Sequence, residues 1–184
     1  MTGLIILGAV AFLILGALIV IYNKFVKLRQ HVKSGWSDID VQLKRRADLI
    51  PNLVAAVKGY AKHERDLFTD ITEKRSAAMA AGDDTQARGA AESALSTGTG
   101  RLFAVAEDYP ELKASQNFLD LQNDLSETED KIEMSRRYYN GTVRNMNTAA
   151  QTFPLNMVAG LFGFKSAQYF NMDHTERAAP SVDV

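Results

Sequence analysis

The sequence predicts an all-α protein, in which an N-terminal transmembrane helix continues into an up-down bundle of three to four long helices. Three observations support this prediction. The first 23 residues contain no Asp, Glu, Lys or Arg. Beyond them, apolar residues recur at steps of three and four, which is the spacing of one helix face. Alternating β-branched residues, which are typical of strands, are scarce.

The predicted anchor is the apolar run at residues 4–21, LIILGAVAFLILGALIVI. About 18–20 apolar residues, each rising about 1.5 Å, span a hydrocarbon core of about 30 Å. A cleaved signal peptide has basic residues before its apolar run and a small-residue cleavage site after it. The sequence has neither. We therefore expect an uncleaved anchor at residues 1–23, a helical bundle at 24–172 and a disordered tail at 173–184.

Basic residues follow the anchor directly. Between Lys24 and Arg46, seven basic and two acidic side chains give a local charge of +5, whereas residues 47–184 sum to −6. Because Lys and Arg favour the cytoplasmic side of a membrane, we expect a single-pass protein with its N-terminus outside and its domain in the cytoplasm. Basic residues near the surface also attract anionic lipid. The predicted membrane-interface residues are Tyr22, Lys24, Lys27, Arg29 and Lys33.

The first helix is expected to continue past the anchor to about Asp48. Its apolar stripe comprises Phe25, Leu28, Val32, Trp36, Ile39, Leu43 and Ala47. Gly35 lies within this stripe, and we expect it to let a neighbouring helix approach beside Trp36. We expect the helix to break near Pro51, because proline lacks the backbone N–H and restricts the residue before it.

A second helix is predicted from Pro51 to Ala81, and a third from Thr85 to Asp108. The stretch Thr97-Gly98-Thr99-Gly100 lies inside the third helix. Because glycine lowers helix propensity by about 1 kcal/mol per residue, we expect this helix to be broken or frayed there.

The fourth helix, predicted from about Glu111 to Thr152, has the most regular pattern. Apolar and small residues alternate at steps of three and four over more than three heptads, which is typical of a coiled-coil seam. A short helix at 155–161 follows, with five aromatic residues that we expect to plug one end of the bundle. The seam residues are Phe118, Leu121, Leu125, Thr128, Ile132, Ser135, Tyr139, Thr142 and Met146, and the aromatic residues are Phe153, Phe162, Phe164, Tyr169 and Phe170.

The run from Ser37 to Asp48 is dense in charge for a helix that also carries core residues. One interpretation is a surface for self-assembly or for a partner. The other is a set of salt bridges that fixes the register of the helices, and composition alone favours it because exposed ion pairs contribute little to stability. The predicted assembly-surface residues are Asp38, Asp40, Gln42, Lys44, Arg45, Arg46 and Asp48.

Motifs that carry chemistry are missing from the sequence. There is no cysteine, the three histidines have no ligand spacing, and no Glu-x-x-His motif of a carboxylate-bridged metal site occurs. Neither a phosphate-binding loop nor a Gly-x-Ser-x-Gly nucleophile motif is present. We therefore expect a protein that is not an enzyme, with no catalytic residues, cofactor, metal or nucleic-acid partner.

Several strings of residues resemble the LemA family of bacterial membrane proteins. They include Trp36 to Val54 (WSDIDVQLKRRADLIPNLV), Val57 to Glu64 (VKGYAKHE), Tyr138-Tyr139-Asn140, Phe153-Pro154 and Tyr169-Phe170. The resemblance covers nearly the whole chain and implies an N-terminal anchor followed by a bundle of long helices. It provides no catalytic residues and suggests links to membrane organisation or remodelling. The chain departs from the family pattern at residues 97–100, where a more apolar stretch is expected.

The function expected from these observations is that of a structural protein. The bilayer and further copies of the chain would be its partners, and it would assemble on the bacterial inner membrane and organise or remodel it. The alternative is a membrane-tethered adaptor that docks a protease or signalling partner through its aromatic C-terminal segment or its tail.

Overall fold

The computed structural model describes residues 1–172, and within this range the chain is helical with no strand. The prediction of an all-α fold with a long apolar N-terminal helix is confirmed. The predicted disordered tail, residues 173–184, lies outside the described residues. The helices are α1 (Thr2–Lys58), α2 (Arg65–Ala80), α3 (Thr85–Ala106), α4 (Pro110–Lys113), α5 (Gln116–Gln151) and α6 (Leu155–Phe162).

The chain divides into two compact units, each made of two separate segments. Unit 1 comprises residues 1–37 and 137–168, and the described part of unit 2 comprises residues 38–136 and 169–172. Both α1 and α5 therefore contribute residues to each unit. The predicted boundaries between anchor, bundle and tail stay predictions.

Unit 2 is built around the apolar faces of its helices. The Asp84 side chain caps the start of α3 by accepting hydrogen bonds from the backbone N–H groups of Gln86 and Ala87, at 2.9 and 3.1 Å. The core of this unit is formed by the buried residues Ile50, Leu53, Val57, Ala61, Phe68, Ile71, Ala78, Leu95, Leu102, Ala106, Leu112, Phe118 and Leu125.

The predicted break at Pro51 was wrong, since α1 continues through it to Lys58. A proline at this position leaves the carbonyl of Ala47 without its usual backbone N–H donor. The Nε of Arg75, on α2, donates to that carbonyl at 2.6 Å. A side chain of the neighbouring helix therefore replaces the missing donor, and the chain leaves the helix only at residues 59–64.

The expected break in the third helix was also wrong, because α3 is continuous from Thr85 to Ala106. A Cβ atom on Gly98 would lie 3.4 Å from side-chain atoms of Ile71 and Lys74, so glycine allows α2 to pack closely here. The hydroxyl of Thr99 donates to the Leu95 carbonyl at 2.9 Å. Gly98 is thus used for helix packing, and the Thr99 hydroxyl is satisfied within α3.

The predicted seam of the fourth helix is confirmed as a buried face, although the segment begins as the separate short helix α4. The helix α5 continues through Asn140 and Gly141 without interruption. Seven of the nine seam residues are buried, namely Phe118, Leu125, Thr128, Ile132, Tyr139, Thr142 and Met146.

In unit 1, the part of α1 from Ile21 onward packs against the end of α5 and against α6. Its small core consists of Phe25, Ala149 and Ala159, with Ile21, Leu28, Leu155 and Phe164 packed around it. A Cβ atom on Gly35 would lie 3.2 Å from the Cα of Tyr139, and the rings of Trp36 and Tyr139 are 5.6 Å apart. The expectation that Gly35 allows a close helix approach beside Trp36 is confirmed.

Candidate functional site

The predicted transmembrane segment is an exposed apolar surface. Among residues 1–172, α1 is the one helix long and apolar enough to cross a membrane, and none of its apolar segment is buried within the protein. Leu4 and Phe12, for example, are 77% and 76% exposed. Since the core helix of a soluble protein would be covered, this exposure fits contact with lipid.

The predicted interface residues lie where this apolar surface ends. Lys24, Lys27, Arg29 and Lys33 are exposed. The ring of Tyr22 lies 5.0 Å from that of Phe162 and 5.7 Å from that of Phe164, in edge-to-face geometry. The guanidinium of Arg29 lies 5.5 Å from the centroid of the Phe164 ring, which is a cation–π distance. The segment after α6 therefore joins Tyr22 and Arg29, a link that the sequence pattern did not predict.

The five aromatic residues predicted to plug the bundle do not share one environment. Phe170 is fully buried and Phe164 is partly buried, but Phe153, Phe162 and Tyr169 are exposed. The plug prediction is wrong for these three. The eight-residue helix α6 buries only Val158 and Ala159 on one face, which leaves its opposite face open.

The predicted assembly-surface residues fall into three groups. Asp38, Lys44, Arg45 and Asp48 are exposed, and Val41 lies among them with 62% of its surface exposed. Asp40 is half exposed, Gln42 is half buried and Arg46 is fully buried. Arg46 therefore belongs to the interior, and it is removed from the predicted surface.

Arg46 is the centre of a charged cluster that links α1, α3 and α5 within unit 2. Its Nη1 donates to Oε1 of Glu129 at 2.7 Å, and its Nη2 donates to the carboxylate of Glu92. Arg88 donates from Nε to Oε1 of Glu92 at 2.9 Å and lies 3.2 Å from the carboxylate of Asp40. Two cations and three carboxylates thus pair with one another, although the buried Nε of Arg46 has no hydrogen-bond partner among the described residues.

The electrostatics of this cluster keep Arg46 charged. Burial lowers the pKa of Arg46, but the nearby carboxylates of Glu129 and Glu92 raise it by more, so the pKa lies above its ordinary value. A guanidinium held by two carboxylates stays protonated near neutral pH. The cluster therefore supports the interpretation in which salt bridges fix the helix register, as far as Arg46 and Asp40 are concerned.

The sequence carries a signal for this cluster. Arg46 lies three residues after Leu43 and four before Ile50, so it falls on the buried stripe of α1. Arg88 and Glu92 have the spacing of an ion pair within one helix. A charge on an apolar stripe predicts a buried partner, although the sequence alone does not identify which carboxylate it is.

The remaining charged residues on this face have only loose partners. Arg45 lies 4.0 Å from Glu127, and Asp48 lies 4.0 Å from Arg75. Glu127 is bound more closely by Lys131, whose hydrogen bond and charge, together with the charge of Arg45, lower the pKa of the Glu127 carboxyl. Asp38, Lys44, Arg45 and Asp48 thus lie at the surface.

Within residues 1–172, no group of three or more His, Asp or Glu side chains is arranged to hold a metal ion. The expectation that the protein has no catalytic residue, metal or cofactor stays a prediction.

Comparison with known proteins gives one family and several relatives. The model of the LemA family matches residues 35–184. The chain is similar to magnetosome protein MamQ 2 of Paramagnetospirillum magneticum, with 28% identity over 190 residues that cover 90% of this chain and 69% of that protein. It is 26% identical over 196 residues to magnetosome protein MamQ of Magnetospirillum gryphiswaldense, which covers 93% and 71% of the two chains. Protein LemA of Metamycoplasma hominis is 26% identical over 155 residues, covering 84% and 71%.

Proposed function

Because the chain belongs to the LemA family, we propose that it is a membrane-anchored structural protein that self-assembles on the bacterial inner membrane and organises or remodels it. The observation that carries this proposal is helix α1. It holds an exposed apolar segment at its start, basic residues after it, and an exposed charged face further on. The LemA family and the MamQ relatives, which are named as magnetosome proteins, support membrane association.

Several exposed residues in the charged part of α1 share one face. Asp38, Val41, Arg45 and Asp48 follow one another at steps of three and four, and Lys44 lies beside them. This face, which we call the assembly face, presents acidic residues at both ends, basic residues between them and one apolar residue.

Two copies anchored in the same bilayer would hold their assembly faces at the same height. Arg45 and Asp48 differ by three residues, which is about 4.5 Å along a helix, so Arg45 of one copy reaches Asp48 of the next. Because Arg45 and Asp48 lie on the same face, each copy supplies both residues, and the contact joins two copies about a two-fold axis. Its exposed charges make it weaker at high salt.

Crosslinking in intact membranes tests the proposal. The chain has no cysteine, so Val41→Cys adds a single reactive site to the assembly face. We expect crosslinked dimers from this variant. Met79→Cys, at an apolar residue of α2 that is 50% exposed, is the matched control and should give few. Equal yields from both positions, or none from position 41, would contradict the proposal.

Charge reversal identifies the contact within the assembly. Arg45→Asp and Asp48→Arg should each reduce the Val41→Cys crosslink. Combining both substitutions in one chain should restore it, because the pair is then reversed and still complementary. A double variant that crosslinks no better than the single variants would exclude this pair.

The adaptor is the second candidate, and the exposed side chains of Phe153 and Phe162 favour it. A docked protease or signalling protein would give one dominant heterotypic product in the same crosslinking experiment.

The proposed orientation is tested by Ser181→Cys in sealed cells. If the domain is cytoplasmic, an impermeant reagent does not reach this cysteine. Labelling of the cysteine would show that the domain lies outside the cytoplasm and would contradict the proposed orientation.

A further inference from the structure

We propose that α6 is a second membrane contact, in which its exposed apolar face enters the interface of an anionic bilayer beside the point where α1 leaves the membrane. This inference rests on the proposed anchoring by α1. It assigns a lipid partner to a helix that the sequence pattern assigned to a bundle plug.

The exposed face of α6 is unusually apolar. Phe153, just before the helix, is 75% exposed, and Met157, Leu161 and Phe162 are 66%, 73% and 50% exposed. Met157 and Leu161, four residues apart on α6, lie along one line of its surface. Soluble surfaces rarely present so many large apolar side chains together, and such patches mark contact with a partner or a membrane.

The position of α6 along α1 favours lipid as that partner. Leu155, at the start of α6, shares a groove with Leu28, whereas Phe162, at its end, contacts Tyr22. Tyr22 directly follows the apolar run that ends at Ile21. The end of α6 therefore lies at the level where the anchor finishes, and its apolar face continues the apolar surface of the anchor.

The turn after α6 holds the helix in this place. Gly163 adopts a positive φ of 69°, which ends the helix and suits glycine. The chain then returns to α1, where the ring of Phe164 stacks on that of Phe25 at 4.9 Å. The Phe164 ring therefore packs against the core of unit 1, whereas the Phe162 side chain before the turn is half exposed.

The charge of unit 1 selects an anionic surface. The chain has 21 Lys and Arg and 22 Asp and Glu residues. Unit 1 contains seven of the basic residues and no acidic residue, so 14 basic and 22 acidic residues remain and the rest of the chain has a formal charge of −8. Cations around an apolar helix face are typical of interfacial helices on anionic lipid. The seven basic residues, all exposed, are Lys24, Lys27, Arg29, Lys33, Arg137, Arg144 and Lys165.

Spin labels report the depth of individual residues in the full-length protein. Met157→Cys and Leu161→Cys are each labelled in nanodiscs of phosphatidylethanolamine and phosphatidylglycerol. Accessibility to oxygen, which is enriched in lipid, is compared with accessibility to an aqueous nickel chelate. Met134→Cys is the matched control, because Met134 is also an exposed methionine but is flanked by charged residues on α5. Leu13→Cys reports the anchor.

We expect the labels at 161 and 157 to favour oxygen over the nickel chelate, with 161 deeper than 157, and the label at 134 to favour the chelate. In nanodiscs of phosphatidylcholine, the labels at 157 and 161 should become more accessible to the chelate. A lipid-exposed label at 13 with aqueous labels at 157 and 161 would overturn the α6 inference alone. An aqueous label at 13 would overturn the anchoring as well. Protection of 157 and 161 only in native membranes, and not in nanodiscs, would show that a protein covers this face and overturn the inference.

Discussion

At the scale of single residues, Arg46 is a charged side chain that lies in the interior of unit 2. Its side chain is fully buried and is bonded to Glu92 and Glu129, each from a different helix. Replacing a buried ion pair with apolar residues can be neutral, but removing one partner leaves the other charge uncompensated. The cluster therefore specifies which positions of α1, α3 and α5 meet.

Arg46→Ala should destabilise the protein by about 3–5 kcal/mol, because Glu92 would keep a buried charge with half of its partners. Arg45→Ala is the matched control, since its side chain is exposed and lies 4.0 Å from Glu127, and its effect should stay below about 1 kcal/mol. Urea unfolding of the detergent-solubilised full chain, followed by circular dichroism, measures both. Similar losses from the two variants would contradict the role given to the cluster.

Tyr139 gives a prediction in pH. Burial raises the pKa of its phenol, whose hydroxyl donates to the carbonyl of Gln168 at 2.9 Å. A group whose pKa is raised on folding stabilises the protein below its unfolded value, near 10, and this contribution is lost as the pH rises through the folded value.

Tyr139→Phe should therefore reduce the fall in stability above pH 10, while leaving the pH dependence between 6 and 9 unchanged. The neighbouring Tyr138, which is 50% exposed, provides the control variant Tyr138→Phe. Thermal unfolding midpoints measured from pH 6 to pH 11 compare the two. An alkaline profile of Tyr139→Phe that is parallel to that of the unsubstituted protein would argue against this assignment.

At the scale of helices, the sequence predicted the helical segments well and their ends poorly. The stripe of α1 and the seam of α5 follow from side-chain spacing, which one helix determines by itself. The predicted breaks at Pro51 and Gly98 do not form because of the neighbouring helix α2. Its Arg75 supplies a hydrogen-bond donor near Pro51, and its side chains pack against Gly98. The exposed side of α6 was not predicted either, since composition alone does not show which aromatic residues are covered.

The continuity of α1 through Pro51 can be tested by a double-mutant cycle. Arg75→Ala leaves the Ala47 carbonyl without its donor and should cost about 1–3 kcal/mol. In a Pro51→Ala background, the backbone N–H of residue 51 takes over that carbonyl, and the same substitution should cost less. Urea unfolding of the four proteins gives the coupling. Equal costs in both backgrounds would show that the Arg75 hydrogen bond does not compensate for the proline.

Two glycines of α3 should respond in opposite directions to the same substitution. A Cβ atom on Gly89 would lie 2.1 Å from the carbonyl oxygen of Asn171, whereas a Cβ atom on Gly100 meets nothing within 4 Å. Gly100→Ala should stabilise the helix by about 0.5–1 kcal/mol, because alanine loses less backbone freedom than glycine.

Gly89→Ala should destabilise the protein, because the segment that contains Asn171 must move away from α3. The buried ring of Phe170, in the same segment, would then lose its cover. Thermal unfolding of the two variants measures the contrast. Stabilisation by Gly89→Ala would show that this segment does not pack on α3 as described.

At the scale of the whole molecule, charge is divided between the two units. Unit 1 contains the apolar start of α1 and only basic charges, and every acidic residue of the chain lies outside unit 1. An anionic bilayer therefore attracts unit 1 and repels unit 2. The near-zero net charge of the chain conceals this division. It appears only when residues 137–168 are known to fold with residues 1–37.

We propose that the anchored protein assembles with copies of itself through α1. Light scattering of the full chain, extracted from the membrane in mild detergent, tests it most directly. We predict a particle whose protein mass is a multiple of the monomer mass, and a shift to smaller particles for Arg45→Asp. A monomer at concentrations well above those in the cell would contradict the claim.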